Sequence, residues 1–176
     1  SGMVPNLIPA LQDQGVPAQK AATAISIFGI AVIAGRLIVG YLVDKLWAPG
    51  VAAVAISLPV IGSLLLVGAP GFFIACVAGA FLGFAAGAEL DLMAFLAAKY
   101  FGLLHYAKIY AVLYAALALA SGVAPMIFAT IFDITGSYNI GFLFGAGFFA
   151  IGALMILALG KYPDIATETD KGKTNP

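Results

Sequence analysis

Three ionisable residues lie inside long apolar stretches of this sequence. Arg36 is surrounded by Ile, Val, Leu and Ala, and Glu89 and Asp91 lie together in a second apolar stretch. Charged groups in apolar surroundings are costly unless they are paired or hydrated. A guanidinium can bind a carboxylate through two parallel N–H donors, and a carboxylate can bind and release a proton. The three residues could therefore serve anion binding or proton transfer, or form a salt bridge that only stabilises the fold.

The composition indicates which elements position these residues. The chain has 176 residues, of which 63% are hydrophobic and 9% are charged, whereas soluble domains carry about 25% charged residues. This small number of charges cannot cover the surface of a globular protein in water. We therefore expect the lipid bilayer to be the main solvent. The net charge is zero and the chain has no basic run, which excludes the usual signature of nucleic-acid binding.

Hydropathy divides the chain into membrane-spanning helices, each of which needs about 20 mostly apolar residues. The five stretches that meet this length are 21–43, 50–69, 72–96, 110–132 and 139–160. Residues 3–11 resemble the last turns of another span, and the polar residues 12–20 follow as a connector. We therefore predict an all-α, polytopic transmembrane helix bundle with five full spans plus a partial first span.

The lysines predict the orientation of the bundle. When the polar breaks are numbered alternately, six of the seven lysines fall on one side and only Lys20 falls on the other. Cytoplasmic loops carry an excess of Lys and Arg. The breaks that contain Lys45, Lys99 and Lys108 and the C-terminus are therefore predicted to be cytoplasmic.

The three charges lie at similar depths in their spans. Arg36 precedes Asp44, where its span ends, by eight residues, and Asp91 precedes Lys99 by eight residues. At 1.5 Å per residue both lie about 12 Å inside the cytoplasmic boundary, and Glu89 lies about 3 Å deeper. Matching depth predicts a shared buried polar cluster.

A row of glycines orients the two acids. Gly79, Gly83 and Gly87 form a G-x-x-x-G-x-x-x-G row, which allows two backbones to approach closely in lipid. Asp91 is four residues beyond Gly87 and continues this face, whereas Glu89 lies about 200° around the helix. We expect one acid to hold a helix–helix contact and the other to face a hydrated cavity.

The remaining polar residues support fewer functions. Tyr110 and Tyr114 share a helical face and could line a cavity. His105 is the only histidine and Cys76 the only cysteine, which is too few for a typical metal site. The sequence shows no nucleophile beside a base and no phosphate-binding glycine loop, so we predict no metal, no cofactor and no enzyme activity.

Three segments resemble a known family. GRLIVGYLVDK, residues 35–45, resembles the G-R-x-x-x-G-x-x-x-D-[RK] signature of the major facilitator superfamily. GAELDLMAFLAAKYFG, residues 87–102, is similar to the tenth helix of its monocarboxylate and oxalate/formate branch. The eleventh helix of the same branch is similar to residues 106–138, YAKIYAVLYAALALASGVAPMIFATIFDITGSY. The resemblance extends over residues 4–164.

The resemblance implies the domain organisation. Residues 1–161 would form a transmembrane half-domain, comprising helices seven (partial) to twelve, and residues 162–176 a disordered cytoplasmic tail. The partner would be an N-terminal six-helix half of the same chain, and the two halves would rock about a central site to give alternating access. The implied location is the bacterial inner membrane, with the C-terminus in the cytoplasm.

The resemblance also implies roles for individual residues. Arg36 corresponds to an arginine that pairs with the substrate carboxylate, and Tyr110 and Tyr114 are further candidates for substrate binding. Asp44 and Lys45 would belong to a cytoplasmic gate. The residues themselves suggest a further role. Burial favours a protonated carboxyl and a nearby arginine favours the carboxylate, so Glu89 or Asp91 could carry a proton.

The function implied is secondary transport of a small organic anion, either with or without coupling to protons. No lysine lies between Lys108 and Asp133, whereas oxalate exchangers have one deep in this helix. A single cation favours a monoanion, unless the N-terminal half supplies a second charge. The alternative is a non-transporting membrane receptor or scaffold with the same fold, in which the buried charges are purely structural.

Overall fold

A computed structural model describes residue 12 and residues 17–68 and 71–160. Over these ranges the regular structure is entirely helical. The helices are α1 (Ala18–Lys45), α2 (Ala48–Leu65), a long helical segment (Phe72–Thr135) and α5 (Asn139–Leu157). Gly102 divides the long segment into α3, residues 72–101, and α4, residues 103–135. The predicted span at 3–11, residues 13–16 of the predicted connector and the predicted tail at 162–176 lie outside the described residues. Residues 18–20, which were predicted as part of the connector, already belong to α1.

The chain reverses direction at Gly102. A continuous helix of 64 residues would extend about 96 Å, roughly three times the hydrocarbon thickness of a bilayer. Gly102 has φ 71° and ψ 167°. Residues at similar distances along the chain before and after it line the same cavities. Met93 and Leu113 line one cavity, and Glu89 and Leu117 line another. Helix α4 therefore runs antiparallel to α3, and each spans the bilayer separately.

The polar break predicted between the spans 72–96 and 110–132 is helical except at Gly102. Helical structure continues on both sides of Gly102 and includes Lys99, His105 and Lys108. Lysine is a good helix former, so polarity alone does not end a helix. The break is confined to the residue whose missing Cβ permits a positive φ.

Two core clusters lie at opposite ends of the bundle. The first contains Ala21, Ala24, Leu66, Ala75, Cys76, Ala78, Leu82, Phe128 and Phe142. The second contains Val39, Val43, Ala48, Val51, Ala52, Ala55, Ala88 and Leu92. The first cluster joins the beginnings of α1, α3 and α5 to the ends of α2 and α4. The second cluster joins the ends of α1 and α3 to the beginning of α2. The helices consequently alternate in direction, and many core residues are small enough for close helix packing in lipid.

The connections at the end of the first cluster are held by local hydrogen bonds. Gly136, at φ 66°, ends α4, and its N–H donates to the carbonyl oxygen of Phe132 at 2.7 Å. The N–H of Gly68, just after α2, donates to Oδ1 of Asn139 at 3.2 Å. This bond links the chain that leaves α2 to the beginning of α5.

Candidate functional site

Helices α1 and α3 pack in parallel along the row of glycines. A Cβ placed on Gly79 would lie 3.2 Å from the carbonyl oxygen of Ala24, and a Cβ on Gly87 would overlap the carbonyl oxygen of Val32. The facing residues, in chain order, are Ala24 with Gly79, Phe28 with Gly83 and Val32 with Gly87. We call these three contacts the glycine seam. Both helices advance by four residues from one contact to the next. A Cβ would overlap backbone at Gly83 and Gly87 and would be tightly packed at Gly79.

Sequence reasoning missed the reciprocal contact from α1. A Cβ on Gly35 would overlap the backbone carbonyl oxygen of Phe84, so α1 also needs a glycine where it faces α3. This contact could have been suspected from the sequence, because Gly35 lies in the same helix as the residues that face the glycine row. Gly35 contributes to the close packing of α1 and α3 just before Arg36.

Arg36 and Asp91 form the next contact along the same two rows. Arg36 is four residues beyond Val32 and Asp91 four beyond Gly87, and their closest atoms, Nε and Oδ2, are 3.3 Å apart. The glycine seam therefore positions the two side chains by holding their backbones together. This is the neighbour-helix contact that the helical spacing predicts for Asp91. The Arg36 side chain is 54% exposed and that of Asp91 39% exposed, so the described residues leave the pair partly uncovered.

Glu89 lies apart from this pair. It lines three cavities of about 350, 490 and 230 Å³, whose other walls come mainly from α2, α4 and α5. Among the described residues it makes no ion pair and no hydrogen bond. The expected single cluster of three charges is therefore two sites, because a displacement of two residues turns a helical side chain by about 200°.

Tyr110 and Tyr114 belong to a ladder of stacked rings that begins at Tyr106. The ring centroids of Tyr106 and Tyr110 are 5.5 Å apart, and those of Tyr110 and Tyr114 are 6.2 Å apart. Tyr114 is 50% exposed. The ladder offers flat aromatic surfaces along the first turns of α4.

At the end of α1, Lys45 binds within its own helix. Its Nζ donates to the hydroxyl of Tyr41 and lies 4.3 Å from the centroid of that ring. Asp44 is exposed and makes no ion pair within the described part of the chain. The hydrogen bond from Lys45 was not predicted. The spacing of four residues between Tyr41 and Lys45, which places both on one helix face, could have predicted it.

The chain matches one known family over nearly its whole length. The model described as Major Facilitator Superfamily matches residues 1–175. The chain belongs to the major facilitator superfamily. No curated protein and no solved structure matches the chain.

Membership of the major facilitator superfamily confirms several predictions at a general level. The chain is an all-α transmembrane bundle and an integral membrane protein, since its long helices are apolar enough to cross a bilayer. Proteins of this superfamily are secondary transporters and not enzymes.

Proposed function

We propose that this chain is the C-terminal half of a secondary transporter that moves a small organic monoanion, such as a monocarboxylate, by alternating access. A second six-helix half of the same chain would complete the central site. The strongest support is the partly exposed Arg36–Asp91 pair on two helices that pack backbone to backbone. We place the protein in the bacterial inner membrane, and the lysine distribution supports an orientation in which the ends carrying Lys45 and Lys99, and the C-terminus, are cytoplasmic.

The chemistry of Arg36 favours a carboxylate substrate. A guanidinium has five N–H donors, and the closest contact of Asp91 is with Nε. Donors therefore remain for a second carboxylate, which can bind in the two-pronged geometry that arginine prefers. Arg36 is the only arginine of the chain, and the described residues place no other cation beside it, so one negative charge on the substrate is the best match.

The pairing also supports coupling of transport to protons. An organic anion competes with the carboxylate of Asp91 for the guanidinium of Arg36. Protonation of Asp91 removes its negative charge and releases Arg36, so a bound proton favours a bound anion. By thermodynamic linkage a bound anion then favours proton binding to the same degree. Between the two acids proposed for coupling, Asp91 has this direct route, whereas Glu89 could act only through a movement of α3.

The other proposed residues serve binding and gating. The Tyr106–Tyr110–Tyr114 ladder would present Tyr110 and Tyr114 to the organic part of the substrate. Asp44 and Lys45 would lie at the cytoplasmic gate, where Lys45 exchanges its contact with Tyr41 for a partner on another helix in one of the two access states.

The test is uptake of labelled monocarboxylates by proteoliposomes that contain the full transporter. Arg36→Gln should abolish uptake, and Arg36→Lys should retain a small part because an ammonium keeps the charge but loses the planar geometry. Asp91→Asn should preserve binding of the anion and remove the dependence of uptake on a pH gradient. Lys108→Gln, a change of an exposed cation in α4, is the control and should leave uptake unchanged.

Two results would contradict the proposal. Uptake that persists in Arg36→Gln would show that the guanidinium does not bind the substrate. Absence of uptake and binding for every monoanion tested, together with equal losses of thermal stability in Arg36→Gln and Asp91→Asn, would favour the receptor or scaffold alternative with purely structural charges.

A further inference from the structure

Glu89 is a carboxylate near the middle of the membrane that neither the ion pair nor the proposed anion site uses. It lies ten residues before Lys99, about 15 Å along the helix from the predicted bilayer boundary. In the described part of the chain it has neither a cation nor a hydrogen-bond donor as partner. A charge at this depth is costly unless something neutralises it.

The surroundings of Glu89 are aromatic. The cavity of about 350 Å³ lies between α3, α4 and α5, and we call it the Glu89 cavity. Its volume is within the range of small-molecule sites. Glu89 is the only ionisable residue among those that line it, and four phenyl rings form much of the wall. The four are Phe128, Phe144, Phe148 and Phe149.

The accessible side of the Glu89 cavity faces outward from the helices. Phe128 is buried, whereas Phe144 is exposed and Phe148 is 64% exposed. Both exposed rings lie on α5, one turn apart, and their centroids are 5.0 Å apart. A hydrophobic molecule dissolved in the membrane could therefore enter between α4 and α5 and reach the carboxylate.

We propose that the Glu89 cavity binds a lipophilic organic monocation. The carboxylate supplies the opposite charge, the faces of the aromatic rings attract a cation, and the apolar walls accept its hydrophobic body. This site is distinct from the anion site, because Asp91 and Glu89 point to different sides of α3 and only Asp91 is paired with Arg36. It goes beyond the transport proposal and does not depend on it.

The probe is tetraphenylphosphonium, and its binding to the purified full chain in lipid nanodiscs is measured by equilibrium dialysis. Glu89→Gln should weaken binding by about tenfold or more, because it removes the charge in a water-poor site. Glu89→Asp should retain part of the affinity, and Phe148→Ala should weaken it as well. Asp133→Asn neutralises an exposed carboxylate near the end of α4 and should leave binding unchanged.

A neutral molecule of similar shape, triphenylphosphine oxide, controls for hydrophobic partition and should bind the original chain and Glu89→Gln equally. Binding of the cation that is undiminished in Glu89→Gln, or no saturable binding at all, overturns the proposal. If Glu89→Gln does not fold, the test uses Glu89→Asp. An affinity for tetraphenylphosphonium equal to that of Asp133→Asn overturns the proposal, and a reduced affinity with unchanged thermal stability supports it. Cation binding that survives Arg36→Gln while anion uptake is lost separates this site from the anion site.

Discussion

Replacement of Gly87 by alanine tests whether α1 and α3 are as close as the glycine seam requires. Gly87 lies in the middle of α3, one helical turn before Asp91. The added Cβ would overlap the carbonyl oxygen of Val32 and would also crowd the carbonyl carbon and Cα of that residue. These are backbone atoms, so no side chain can rotate to make room, and the two helices must separate.

The expected loss of stability follows from two opposing effects. Overpacking of a closely packed contact costs about 1–3 kcal/mol. Alanine in place of glycine inside a helix contributes up to about 1 kcal/mol in the other direction. The net destabilisation should be about 1–2 kcal/mol, which corresponds to a decrease of about 2–8 °C in the melting temperature of a protein of this size.

The assay is thermal unfolding of the purified protein in detergent, followed by circular dichroism. Gly29 is the matched control, because it lies in α1 and a Cβ there would meet nothing within 4 Å. Gly29→Ala should leave the melting temperature unchanged or raise it slightly. Gly79→Ala should fall between the two, since its Cβ would lie 3.2 Å from the oxygen of Ala24. Equal melting temperatures for Gly87→Ala and Gly29→Ala would refute the backbone contact.

Three further predictions concern the turn at Gly102, the ion pair and the α2–α5 link. Gly102→Ala should lower stability by about 1–3 kcal/mol, because φ 71° with ψ 167° is a conformation almost restricted to glycine; an unchanged melting temperature would argue against this reversal. Exchange of the two charges, in the double variant Arg36→Asp with Asp91→Arg, should restore the stability that the single variants lose. The regained free energy of unfolding should be at most about 1 kcal/mol because the pair is half exposed, and uptake should remain absent. Asn139→Ala should cost about 0.5–1.5 kcal/mol and accelerate hydrogen exchange at the Gly68 amide, whereas unchanged exchange would mean that the 3.2 Å bond is not maintained.

The membrane-spanning helices were predictable because the bilayer restricts what an apolar segment can do. A lipid-embedded backbone must satisfy its own hydrogen bonds, and the hydrocarbon thickness determines helix length. The predicted span 21–43 corresponds to α1, Ala18–Lys45, and the predicted span 139–160 to α5, Asn139–Leu157. The reversal between α3 and α4 was predicted, but its confinement to Gly102 was not, because hydropathy carries no information about the φ angle of a residue.

The candidate site was predictable only where helical periodicity determines it. The spacing of Asp91 from Gly87 predicted that Asp91 faces a neighbouring helix, and the structure places Arg36 of α1 there. Equal depth predicted one cluster of Arg36, Glu89 and Asp91, which the structure divides into two sites. The separation of Glu89 from this pair also follows from helix geometry. The walls of the Glu89 cavity did not follow, because Phe144 and Phe148 come from α5, more than fifty residues along the chain, and no local pattern relates them to α3.

The packing of α1 on α3 limits how an anion site at Arg36 can open and close. Backbone atoms meet at the glycine seam and again at Gly35, so α1 cannot slide or turn against α3 without steric overlap. Access to Arg36 must therefore change by movement of α1 and α3 together against another group of helices, or by a change of side-chain conformation at Asp91. Because α3 also carries Glu89 on its other side, the same rigid-body movement would alter the cavity between α4 and α5. A cation bound there should then favour one access state over the other, even though it touches neither Arg36 nor Asp91.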